Sequence, residues 1–176
     1  MKGNKTIIFL PLFVMAGLFI FGYFSLSDSS TLSNADLQQN IDISVSNDNP
    51  KEIAWEWGSY PADGLAGNDY IEIVFDGEVE NSTLELTHAD NVLFESEDWF
   101  YTDDGIAASF PTYTEEEQII GAIGSWKVDS DTTIEAVRYY HTWAGAEIEI
   151  DEPVNLIEQL QNRIPEHHWV VEEADI

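Results

Sequence analysis

Cysteine is missing from this 176-residue chain. Its absence removes disulfides, thiolate metal sites, a cysteine nucleophile and lipid attachment through an N-terminal Cys. Core packing must therefore hold any fold here without a covalent staple. Cations are nearly missing as well: Lys and Arg number 6 against 34 Asp and Glu, for a formal net charge of -28. Past residue 24 only Lys51, Lys127, Arg138 and Arg163 face all of those acids. A field of that sign repels nucleic acid, whose binding rests on cationic neutralisation of phosphates. It also repels anionic lipid headgroups and favours metal cations or basic partners. Motifs are the third shortage. His88, His141, His167 and His168 fall into no HxH or HExxH spacing, and there is no serine nucleophile elbow and no phosphate loop. The residues name no reaction; they speak to location and architecture.

A hydrophobic content of 44% with 12% aromatics is enough to fill a core, which argues against wholesale disorder. The acids run along the whole chain instead of gathering in one tail, the pattern of a solvated acidic surface suited to salty or alkaline surroundings. At molar salt the Debye length is about 3 Å, so the self-repulsion of such a surface is largely screened.

Residues 7–24 read IIFLPLFVMAGLFIFGYF without a charge, and Lys2 and Lys5 stand just before them. As a helix this run would be about 27 Å long, close to the hydrocarbon thickness of a bilayer. The lysines keep the front end cytoplasmic and send the remainder outward. The length favours an uncleaved signal anchor over a signal peptide. Ser25 and Ser27 nevertheless offer small residues for a cut before Asp28, which would release the protein. From 25 to 50 the chain is rich in Ser, Asn and Asp and has no aromatic residue, so it is expected to be a flexible polar tether. Ile41, Ile43 and Val45 alternate with polar residues there and form a possible early strand that would move the start to near Asn40.

Residues 51–176 are expected to form one acidic, strand-rich extracytoplasmic domain. The expected class is mainly β, as an antiparallel sandwich or an α+β sheet, with one or two short helices. Candidate strands are Ile53–Trp57, Tyr70–Phe75, Thr83–Thr87, Val92–Phe94, Trp99–Tyr101, Ile106–Phe110, Thr132–Trp143, Glu147–Ile150 beside it, and His168–Val171. Asp76-Gly77 signals a hairpin or turn, as do Ala89-Asp90-Asn91 and Thr102-Asp103-Asp104-Gly105. Thr114 and Glu117 fit a capping box for a helix carrying Ile119, Ile120, Ile123 and Trp126, though Gly121 and Gly124 weaken it. Asp151 could cap a second helix with Pro153 in its first turn, Val154, Ile157, Leu160 and Ile164 on one side, and Pro165 as its stop.

The stretch Tyr60–Phe94 is entered through SYPADG, which starts at Ser59, and then reads DYIEIVFDGEVENSTLELTHADNVLF. It resembles the opening of bacterial immunoglobulin-like domains of surface-layer and adhesion proteins. There a Pro-Asp-Gly-type entry precedes an alternating strand ending in Phe, an acidic or polar turn and another strand. The resemblance implies a β-sandwich used as a spacer or binding module.

Candidate sites follow from residue chemistry. Asp129, Asp131 and Glu135 offer oxygens at spacings a calcium loop could use, and Asp103-Asp104-Gly105 is a similar turn. Both also suit solvated turns for conformational reasons alone. The histidines are expected at the surface or an interface, and Trp55, Trp57, Trp99, Trp126, Trp143 and Trp169 in the core. Arg138 shares a strand face with Ile134, Ala136 and Tyr140, so a buried face there would require a structural Arg–carboxylate clamp. The function expected is a non-enzymatic binding or structural module of the cell envelope, with an envelope protein or polysaccharide as partner and residues 7–24 in the membrane. The alternatives are a calcium-dependent binding module and a carbohydrate-active enzyme working through two close carboxyls.

Overall fold

The computed structural model describes Met15 and residues 32–89, 91–114, 118–145, 148–150 and 153–174. The expected membrane run of residues 7–24, Met15 apart, and the possible cut near Ser27 lie outside the described residues. Among the described residues no helix is long and apolar enough to cross a membrane.

Alternation of apolar and polar residues organises the chain into strands. They are β1 (Ile41–Ser46), β2 (Lys51–Trp57), β3 (Asn68–Val74), β4 (Asn81–His88), β5 (Asn91–Ser96), β6 (Phe100–Tyr101), β7 (Gly105–Pro111), β8 (Ile123–Asp129), β9 (Ala136–Thr142) and β10 (His168–Ala174). Two short helices join them, α1 (Asn34–Leu37) and α2 (Leu156–Arg163). The strands make two antiparallel sheets, β1-β2-β8-β4-β5 and β10-β9-β3-β7-β6. The protein is thus mainly β and built as a sandwich.

The first sheet follows the half-buried pattern. In β2, Ile53, Trp55 and Trp57 are buried while Glu52 and Glu56 are exposed. Inward residues of both sheets meet in one core, where Trp55 stacks on Phe110 at 4.8 Å and tilts against Tyr139 at 5.8 Å. The second sheet is covered on both faces. Its far face carries Tyr70, Ala107 and Tyr140, which pack with Phe100 and with Val154, Leu156, Leu160 and Ile164 in and beside α2.

Several expectations need correction. The polar stretch 25–50 is not a tether throughout: from Leu32 onward it belongs to the fold. Ser33 caps α1 through a reciprocal box with Asp36, Leu37 is fully buried, and β1 pairs with β2 along its whole length. Hydrogen bonds from the Ser33 side chain and backbone hold the Asp36 carboxyl below its ordinary range. Ile123–Asp129 is the central strand β8, not the end of a helix, because β2 and β4 pair with it on either side. Asp76-Gly77 does not close a hairpin; it carries the chain from β3 in one sheet to β4 in the other. Ile148–Ile150 form no strand, since β10 and β3 occupy both sides of β9. The late helix starts beyond Asp151 and Pro153. Val154 stays extended, bridged to Thr102, so Asn155 is the cap and its side chain accepts from the Glu158 N–H at 2.9 Å.

Candidate functional site

Arg138 stands at the centre of the second sheet, directly opposite Glu72 on β3 and Glu172 on β10. Its Nη1 lies 2.6 Å from Asp104 and 3.4 Å from Glu72, and its Nε donates to Glu172 at 2.6 Å. Tyr140 donates its hydroxyl to the same Glu72 oxygen. Partial burial alone would lower the guanidinium, but the hydrogen bonds to Asp104 and Glu172 and the charge of Glu72 outweigh it and hold Arg138 above its ordinary value. Burial, reinforced by the charge of Glu72, raises the Tyr140 phenol. Three carboxylates and one cation make this a structural cluster, and it accounts for the only strongly buried acid on that face, among the described residues.

Asp103 and Asp104 also line a cleft of about 390 Å³ with Asp76 and Glu135, and neither Asp129 nor Asp131 is among its described lining. Asp103 accepts from Asn155 at 3.0 Å and Asp104 is taken by Arg138. Among the described residues no group of three or more His, Asp or Glu is placed to hold a metal ion. The two buried carboxylates, Asp69 and Glu72, are three apart on β3 and so point to opposite faces of the sheet. They cannot form the acid–base pair of a glycoside hydrolase.

His141 is not a surface histidine. It is fully buried, within about 6 Å of three indoles: Trp57 at 5.2 Å, Trp143 at 5.6 Å and Trp169 at 5.0 Å between ring centroids. Its Nδ1 faces both oxygens of Asp69, at 3.1 and 2.9 Å, and its Nε2 faces Asn34 Oδ1 at 2.8 Å. Asp69 also accepts from the Tyr139 hydroxyl at 2.7 Å and the Thr142 N–H at 2.9 Å. Trp57 Nε1 donates to Tyr139 Oη from the opposite sheet at 3.1 Å. Burial, with the charge of Asp69 behind it, pushes the Tyr139 phenol well up. Asn34 in turn donates from Nδ2 to Asp63 at 2.8 Å and to the Gly64 carbonyl at 2.7 Å, and its own carbonyl accepts from Trp169 Nε1 at 2.7 Å. Neither Asp69 nor Asn34 stood out in the sequence. Both are short polar residues flanking turn or strand starts, where such residues are commonplace.

Two open clefts share Tyr113. One, of about 470 Å³, is lined by Gly67, Asn68, Tyr70, Ser109, Tyr113, Gly145, Ile148 and Ile150. The other, of about 500 Å³, is lined by Pro61, Gly64, Leu65, Tyr113 and Ile119. None of these described residues is charged. Gly67 is needed where it is: its φ is +93°, and a Cβ there would stand 2.7 Å from the Ala144 carbonyl oxygen. Burial raises the Tyr70 phenol, with its hydrogen bond to Ser109 pulling the other way and the charge of Asp69 adding to the rise. Asn68 Nδ2 reaches the Ser109 hydroxyl at 3.2 Å. The linings therefore offer phenol faces, a carboxamide and hydroxyls.

No family model, no curated protein and no solved structure matches this chain.

Proposed function

We propose that this protein is a non-enzymatic binding module of the cell envelope. Residues 7–24 hold it in the membrane, or are removed near Ser27, and its acidic domain works outside the cytoplasm in salty surroundings. The ligand of this reading is an uncharged polysaccharide segment bound at Tyr113. The observation that carries it is the contrast in chemistry. Among the described residues, the buried ionisable groups Lys51, Asp69, Glu72 and His141 and the partly buried Arg138 are engaged by protein partners. Among the described residues, the linings of the two clefts at Tyr113 instead carry uncharged aromatic, polar and apolar groups in a molecule of net charge -28. Tyrosine combines an apolar face for sugar C–H groups with a polar tip, and a few placed amides and hydroxyls give orientation.

The likeness to immunoglobulin-like domains belongs to the same proposal. The chain crosses between sheets from β2 to β3 and from β8 to β9, with β2 beside β8 and β3 beside β9. Residues 60–94 supply the third to fifth strands of this fold. Co-sedimentation of the full chain with insoluble envelope polysaccharide tests the reading. The wild type is expected in the pellet and Tyr113→Ala in the supernatant; equal partitioning of both would remove the Tyr113 site.

A further inference from the structure

We infer that His141 is held as an imidazolium, and that its second ring proton fastens the first residues of the fold and the lining of the Tyr113 clefts to the sandwich, so that binding there weakens as the external pH rises. The regulation rests on the function proposed above; the protonation and the fastening do not.

Donor and acceptor counting gives the charge state. Asn34 Nδ2 faces two acceptors, an Asp63 oxygen and the Gly64 carbonyl, so its orientation is settled and its Oδ1 can only accept. His141 Nε2 must therefore carry a hydrogen. On the other side, Asp69 already accepts from a phenol and a backbone N–H and meets Nδ1 with both oxygens, the pattern of an ionised carboxylate. Nδ1 must donate too. The groups turned toward the ring are Asp69 from β3, Tyr139 from its own strand, Asp63 by way of Asn34, and His167 behind Trp143 at 6.1 Å.

Removing either proton sets an acceptor against an acceptor inside a sealed core. Loss at Nε2 turns a lone pair on Asn34, and Asn34 is what ties residues 32–37 to Asp63 and Gly64. Gly64 lines one Tyr113 cleft. Loss at Nδ1 turns a lone pair on Asp69, whose neighbour Asn68 lines the other and is held through its carbonyl by Thr142 Oγ1 at 2.8 Å. Each ring proton thus bears on one of the two linings.

The test is imidazole nitrogen NMR on the full chain in detergent micelles, with amide exchange measured in parallel. At neutral pH both ring nitrogens of His141 are expected to carry hydrogen. As pH is raised, loss of one is expected to accompany loss of protection, beyond the base-catalysed rise common to all amides, at the Asn34 and Ala62 amides, which bond to Asp63 and to the Leu32 carbonyl, while β2–β8 amides stay protected. Asn34→Ala removes the acceptor facing Nε2, and reduced protection of the Ala62 amide is expected already at neutral pH. Polysaccharide pelleting of the wild type is expected to fall severalfold over the same range. A neutral ring at neutral pH, or proton loss with Asn34 and Ala62 protection unchanged, overturns the inference. Absent pelleting at every pH removes the binding reading and the regulation with it, and leaves the NMR result to decide the fastening by itself.

Discussion

Trp55 lies over the bare Cα of Gly124, its direct partner across β2 and β8, so closely that a Cβ on residue 124 would stand 2.3 Å from ring carbon Cζ2. The indole is fixed there by its stack on Phe110 and by donation from Nε1 to the Gly121 carbonyl at 3.0 Å. Gly124→Ala must push the ring off both. Overpacking and an orphaned indole N–H together are expected to cost about 2–4 kcal/mol, read from urea denaturation. A loss below about 0.5 kcal/mol, the scale of an ordinary surface change, would mean that the ring has room to move.

Arg138→Leu leaves Glu72, 3% exposed, with only the Tyr140 hydroxyl to offset its charge. The expected loss is about 2–3 kcal/mol, less than for a fully buried pair because the Arg138 side chain keeps 19% exposure. Adding Glu72→Gln removes the stranded charge while keeping an acceptor for Tyr140, and should recover part of that loss. Circular dichroism melts of the two variants check this. Equal melting of Arg138→Leu and wild type would rule out the clamp.

The tyrosines supply a pH dependence. Tyr70, Tyr139 and Tyr140 all have phenols raised by burial above the ordinary value near 10. Between the unfolded and the raised folded values the native state binds more protons, so stability falls as pH rises. That contribution is complete below about pH 10 and is lost above it. Phenolate absorbance followed alongside circular dichroism should show these three ionising only as the fold melts. Their titration within a folded protein would contradict the burial argument.

Salt should stabilise the protein. Surface acids such as Asp42, Glu52, Glu56 and Glu95 repel one another at low ionic strength, and molar salt shortens the screening distance to about 3 Å. The Arg138 contacts to Asp104 and Glu172, at 2.6 Å, lie within that distance and survive. The melting temperature is expected to rise from low to molar sodium chloride; a fall would sink the salt-adaptation argument.

Much of the first sheet is legible in the sequence, because one wet face leaves a clean alternation in β2 and β4. The hairpin from β6 to β7 could be read from its Asp-Asp-Gly turn in the same way. The second sheet hides its logic. With α2 over its far face, Glu72 and Tyr140 are buried as well as the alternating Ile71, Ile73 and Tyr139. Nothing in the alternation marks His141 as caged, since the partners that cage it come from α1, β2, β3 and β10. The segment before β8 misled for another reason: Gly121 and Gly124 read as flaws in a helix, whereas Gly124 leaves space for an indole. The stretch at Asn34 misled because polar composition signals exposure, and a buried side-chain amide with every hydrogen bond made leaves no compositional trace.

That covering of one sheet but not the other divides what the molecule can change. On the outer side of β2, β4 and β8, where Glu52, Glu56, Glu85 and Lys127 meet water, residues can drift between charged and neutral types at little cost. Beneath α2 the same exchanges would strand a charge or open a void. The open face of the first sheet is therefore a place where acids can come and go without touching the packing that holds the two sheets together.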